Sequence, residues 1–96
     1  MPKAYIVVTE QIKDPAGMAE YSKAAAGAFD GVAGRPLAVG PVVEVLEGEW
    51  FGNQTVILEF DSIDDAKAWY TSEAYSKAIP LRQAAADANM VIVPGF

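Results

Sequence analysis

Thr55 to Arg82 reads TVILEFDSIDDAKAWYTSEAYSKAIPLR, and three elements can be read from it directly. Gln54 to Phe60 is a short, β-branched run bounded by polar residues, the pattern of a strand in a core. Ser62 with Asp65 approximates a capping box, so a helix should open there and run through Ala66, Trp69 and Tyr70. Ser72 caps a second helix, with Glu73 in its first turn near the positive end of the helix dipole. Pro80 lies inside that helical pattern two residues before Arg82, and it should break or kink the helix there.

Working outward, Lys3 to Ile12 (KAYIVVTEQI) reads as a first strand, with Tyr5, Val7 and Thr9 on one face and Ile6, Val8 and Ile12 on the other. Asp14-Pro15 supplies an N-cap and a proline at the first helical position. The helix runs to about Phe29, carries Met18, Tyr21, Ala25, Ala28 and Val32 at helical spacing, and is stopped by Gly31 and Gly34. Arg35 to Glu47 is a second strand. Its Pro36, Gly40 and Pro41 place it at a sheet edge, with a bulge or bend, because proline cannot donate to a ladder. Gly48 to Asn53 is the hairpin turn into Gln54–Phe60, and Asn89 to Val93 is the last strand. The order strand, helix, strand, strand, helix pair, strand predicts one α+β domain over residues 1–96. It is a ferredoxin-like βαββαβ antiparallel sheet with helices on one face.

Composition removes several function classes. The chain has no cysteine and no histidine, so thiolate sites, histidine bases and the usual zinc ligands are unavailable. A net charge of −6, with the basic residues scattered, argues against nucleic acid and anionic membranes as partners. No apolar run reaches a membrane span and no signal-peptide core opens the chain, so a cytoplasmic location is expected. There is no phosphate loop, dinucleotide glycine fingerprint or Ser-His-Asp set, and neither a metal nor a cofactor is expected. Asp61, Asp64 and Asp65 cluster where a helix N-terminus favours acids.

The strands are apolar on both faces, although helices cover only one. A second copy packed on the open sheet face, giving a homodimer, would bury the remaining apolar surface.

Two charged residues interrupt apolar elements. Glu59 shares a face with Thr55 and Ile57, opposite Phe60, and so points to the open face. There it reads either as a catalytic acid or base with a raised pKa, or as a hydrated or ion-paired strand-end carboxylate. Arg82, in register with Tyr75 and Ile79, either anchors an anionic ligand or pairs with Glu59. Trp50, Trp69, Tyr75 and Tyr5 add aromatic surface for a binding site; Trp69 and Tyr70, at helical spacing, read first as core, and Trp50, in a glycine-flanked turn, is the one placed to close a pocket or clasp a partner.

The motifs EVLEGEW, VILEF, AKAWYTSEAY and LRQAAAD together resemble the bacterial family called domain of unknown function 1330, over nearly the whole chain. The resemblance carries Glu47, Gly48, Trp50, Glu59, Trp69, Ser72, Tyr75 and Arg82 as recurring positions, while Pro36, Pro41 and Pro80 depart from it. It implies a dimeric α+β barrel. The wider superfamily includes cofactor-independent monooxygenases of polyphenols, heme-degrading enzymes and isomerases, which often use histidine or asparagine in the barrel. Heme ligation by histidine is closed to this chain. Two functions stand. One is a dimer that binds, with or without transforming, a small apolar or aromatic molecule, anionic or neutral, between sheet and helices, with Arg82 as anchor and Glu59 as acid or base. The other is a non-catalytic dimer whose polar residues satisfy one another.

Overall fold

The computed structural model describes residues 2–29 and 34–96. In chain order these form β1 (Ala4–Ile12), α1 (Pro15–Gly27), β2 (Gly34–Gly40), β3 (Gln54–Phe60), α2 (Ile63–Tyr70), α3 (Glu73–Ser76), α4 (Ile79–Ala85) and β4 (Ala86–Pro94). The four strands make one sheet in the order β2-β3-β1-β4, and every neighbouring pair is antiparallel. This is the ferredoxin-like α+β arrangement that the order of elements predicts.

The pleat of β1 sorts the molecule into two sides. Ala4, Ile6, Val8 and Glu10 are buried, while Tyr5, Val7 and Thr9 between them are only half-buried. The buried set meets Leu58 and Phe60 of β3, Ala66 and Trp69 of α2, and Tyr75 and Ala78 around α3. The helices therefore lie on that face. The other face, with Val91 and Val93 of β4 opposite Val7 and Tyr5, is 53% and 42% exposed at those two valines. Among the described residues no helix is long and apolar enough to cross a membrane.

The helix starts follow local chemistry. Ser62 Oγ accepts from the Asp65 amide at 3.0 Å, and Ser72 Oγ accepts from the Tyr75 amide at 3.1 Å. Asp14 occupies the N-cap of α1 with Pro15 behind it, but its side chain makes no capping bond. Pro80 sits in the first turn of α4, where a missing amide costs nothing, so it divides two helices rather than kinking one.

Three boundaries differ from the sequence reading. β2 ends at Gly40 instead of Glu47, and residues 41–51 are exposed and form no strand. Pro41 has no amide to offer the ladder, and the register of β2 has already slipped between Pro36 and Ala38. Gly48–Asn53 is consequently the end of a long excursion, not a tight hairpin turn. β4 begins at Ala86, three residues before the predicted Asn89. Pairing from Ala4↔Pro94 through Ile12↔Ala86 along the full length of β1 overrides the weak strand preference of Ala86-Asp87-Ala88. The predicted stop at Gly31 and the contact of Val32 lie outside the described residues.

Candidate functional site

On the helix side of the sheet an aromatic wall and a buried carboxyl frame a cavity of about 490 Å³. Trp69 is the hinge of the wall. Its ring centroid lies 3.9 Å from that of Tyr75, 5.3 Å from Phe29 and 5.5 Å from Phe60. Tyr75 in turn shares a 2.8 Å hydroxyl–hydroxyl hydrogen bond with Tyr21 of α1. Trp69, Phe29, Tyr21 and Met90 line the cavity, and Glu10 and Gln54 supply polar groups at one end.

Glu10 is 2% exposed. Strand alternation sends it to the same side as Ile6 and Val8, and register places Gln54 directly opposite, where Gln54 Nε2 donates to Glu10 Oε2 at 3.3 Å. The end of β1 that carries it is pinned from outside. The Asn53 amide donates to the Glu10 carbonyl at 2.8 Å, and Asn53 Oδ1 accepts from the Ile12 amide at 2.9 Å. Gly52 takes a φ of +89° in this clasp, and a Cβ there would run into the Glu10 carbonyl. Burial raises the Glu10 pKa, while Arg82 and the Gln54 hydrogen bond pull it back. Burial, followed by the Tyr75 hydroxyl, likewise pushes the Tyr21 phenol far above its ordinary value. Among the described residues, Trp69 Nε1 and Arg82 Nε are side-chain atoms buried without a hydrogen-bond partner.

The opposite face holds a second polar cluster, whose Arg35 also lines the cavity. Glu59, 8% exposed, receives the Arg35 guanidinium on Oε1 and the Tyr5 hydroxyl on Oε2, the latter at 3.1 Å. The hydrogen bond to Glu59 raises the Tyr5 pKa. Trp50 Nε1 donates to Thr55 Oγ1 at 2.9 Å at the other end of that face, half exposed.

The sequence-derived residues therefore fall into two groups on opposite sides of the sheet. Trp69, Tyr75 and Arg82 lie with the helices. Glu59, Tyr5 and Trp50 belong to the open face. The pairing of Arg82 with Glu59 is corrected, because the sheet separates them and Glu59 is taken by Arg35. Glu10 and Tyr21 were passed over as site residues, although alternation with Ile6 and Val8 already aims Glu10 at the core. Arg35 carried no signal, since its meeting with Glu59 depends on the β2–β3 register. Among the described residues no group of acidic side chains is placed to hold a metal ion. Asp64 and Asp65 stand in the first turn of α2, and Asp61 pairs with Lys3 at 3.3 Å.

The model of a family described as a domain of unknown function, DUF1330, matches residues 3–96. The chain belongs to that family. No curated protein matches this DUF1330 chain. Among solved structures it is similar to a protein of unknown function from Rhodopseudomonas palustris, with 17% identity and a TM-score of 0.76 over 99% of this chain and 83% of the other. A protein from Thermobifida fusca, described as dimeric, ferredoxin-like and of unknown function, is 13% identical with a TM-score of 0.68, covering 97% and 91%. SnoaB, a cofactor-independent oxygenase from Streptomyces nogalater, is 12% identical with a TM-score of 0.67, covering 97% and 92%. At these identities the likeness is one of fold.

Proposed function

We propose that this DUF1330 protein is a homodimer that holds a small, mainly apolar or aromatic molecule in the cavity between sheet and helices. The observation that carries the reading is the cavity itself, a largely apolar space of about 490 Å³ with one buried carboxyl and an aromatic wall. That size and that mixture are typical of small-molecule sites. Glu10, more readily protonated than an exposed glutamate, is the group that exchanges a proton with the bound molecule or accepts its hydroxyl. Tyr21 and Tyr75, tied to each other, hold the wall in place. The oxygenase of similar fold supports a chemistry that needs no cofactor. The dimeric description of the T. fusca protein supports a second copy on the exposed face of Val91 and Val93.

One observation favours the alternative, a non-catalytic dimer. Glu59 has both carboxylate oxygens occupied by Tyr5 and Arg35 and offers nothing to a ligand. Glu59 is accordingly read here as a structural anchor of the open face, and the acid–base role passes to Glu10.

Native mass spectrometry of protein purified gently from its own cells decides between the two. The binding reading expects a dimer with a reproducible small adduct that disappears in Ala25→Phe, which fills the cavity. A bare dimer in both cases supports the non-catalytic reading.

A further inference from the structure

A second cavity, of about 470 Å³, opens beside β4 and is lined by Tyr70, Arg82, Gln83, Ala86, Asp87 and Met90, with Ala88 between the last two. Arg82 is its unusual member. It is 6% exposed, and Nε is buried without an acceptor. Among the described residues no carboxylate lies within ion-pairing distance of its guanidinium. Glu10 is near enough to feel its charge and does not touch it. The acid that shares the cavity, Asp87, is drawn to Lys13 at 2.7 Å on the exposed surface. A buried cation with a carboxyl nearby but none in contact is costly, and the cost falls when an anion reaches the guanidinium.

We infer that this cavity is a binding site for a small organic carboxylate, with Arg82 as the group that receives it. The fork of a guanidinium matches the two oxygens of a carboxylate. Among the described lining residues Arg82 is the one cation, and the chain carries a net charge of −6, so a monoanion fits where a phosphate dianion would be poorly balanced. The walls of the cavity are mainly polar, and Tyr70 and Met90 give the body of the acid its contact surface. This site stands on Arg82 and does not require Glu10 or the larger cavity to be occupied.

The chain has two arginines, so the test can be read from two side-chain signals. The Nε–H resonances of Arg82 and Arg35 are followed by NMR near pH 6 while sodium benzoate is added, with benzyl alcohol and inorganic phosphate as parallel titrations. The expected result is a saturable movement of the Arg82 signal with benzoate alone. Arg35, already paired with Glu59, stays in place. Arg82→Lys, which keeps the charge and loses the fork, should weaken benzoate binding roughly tenfold. A stationary Arg82 signal overturns the proposal. So does equal movement with benzyl alcohol, which would mark an apolar site only, or with phosphate, which would mark a general anion site. Undiminished binding by Arg82→Lys removes the recognition role of the guanidinium.

Discussion

Glu10 shows how much a single residue takes from its surroundings. Its direction is set by the two-residue period of β1, and its hydrogen bond by the register that brings Gln54 opposite. Its pKa is raised chiefly because water is excluded around it. The consequence for stability has a definite sign. A carboxyl whose folded pKa exceeds its unfolded value favours the folded state most when protonated, below an unfolded pKa of about 4.3. That contribution is lost as the pH rises through the folded value. Carbon-detected NMR titration of the Glu10 carboxyl should therefore give a midpoint above that of a free glutamate. A midpoint at or below it would mean that Arg82 and Gln54 outweigh burial. Glu59 makes the contrast. Its face was legible by the same alternation, but Arg35 arrives only through a ladder that slips between Pro36 and Ala38, and such a slip leaves no mark in composition.

At the scale of elements, the signals with a local mechanism translated well. Ser62 and Ser72 each cap a helix by accepting an amide hydrogen bond three residues on. Ser62→Ala should cost about 1 kcal/mol in urea denaturation. Asp14→Ala should cost less than about half of that, because Asp14 occupies the cap position without making the bond. Equal losses would show that the two caps work alike in solution. What the sequence did not disclose was decided by distant partners. Val42, Val43, Val45 and Leu46 have the composition of a strand, yet they are exposed, and no described strand pairs with them. Ala86 to Ala88 have little strand preference and are drawn into β4 by the opposing length of β1. Pro80 fixes where α4 starts, and with it the place of Arg82. From sequence it promised only an interruption.

The whole molecule is a two-sided object. One side of the sheet is closed by helices over the cavity, and the other presents Val91 and Val93 beside the Glu59–Arg35–Tyr5 cluster. An apolar face left open in this way is a place for association. Val91→Glu puts a charge where the side chain is already half exposed, so it should leave the fold intact and shift the proposed dimer to monomer in sedimentation equilibrium. An unchanged dimer would place the interface elsewhere. The antiparallel sheet and its single helical layer were legible from the order of elements and from strands apolar on both faces. A pocket between sheet and helices was expected as well, but its lining was not, because Glu10, Tyr21 and Trp69 come together there from three elements.

A ligand in this space would lie against Trp69, which reports on it directly. The chain has two tryptophans, one in the cavity wall and one at the surface, so their indole N–H signals can be told apart with a Trp50→Phe variant. Titrating the labelled protein with 2-naphthol, an aromatic body with one hydroxyl, should move the Trp69 signal saturably and leave Trp50 where it is. If both signals stay fixed into the millimolar range, or only Trp50 responds, the cavity is not a binding site.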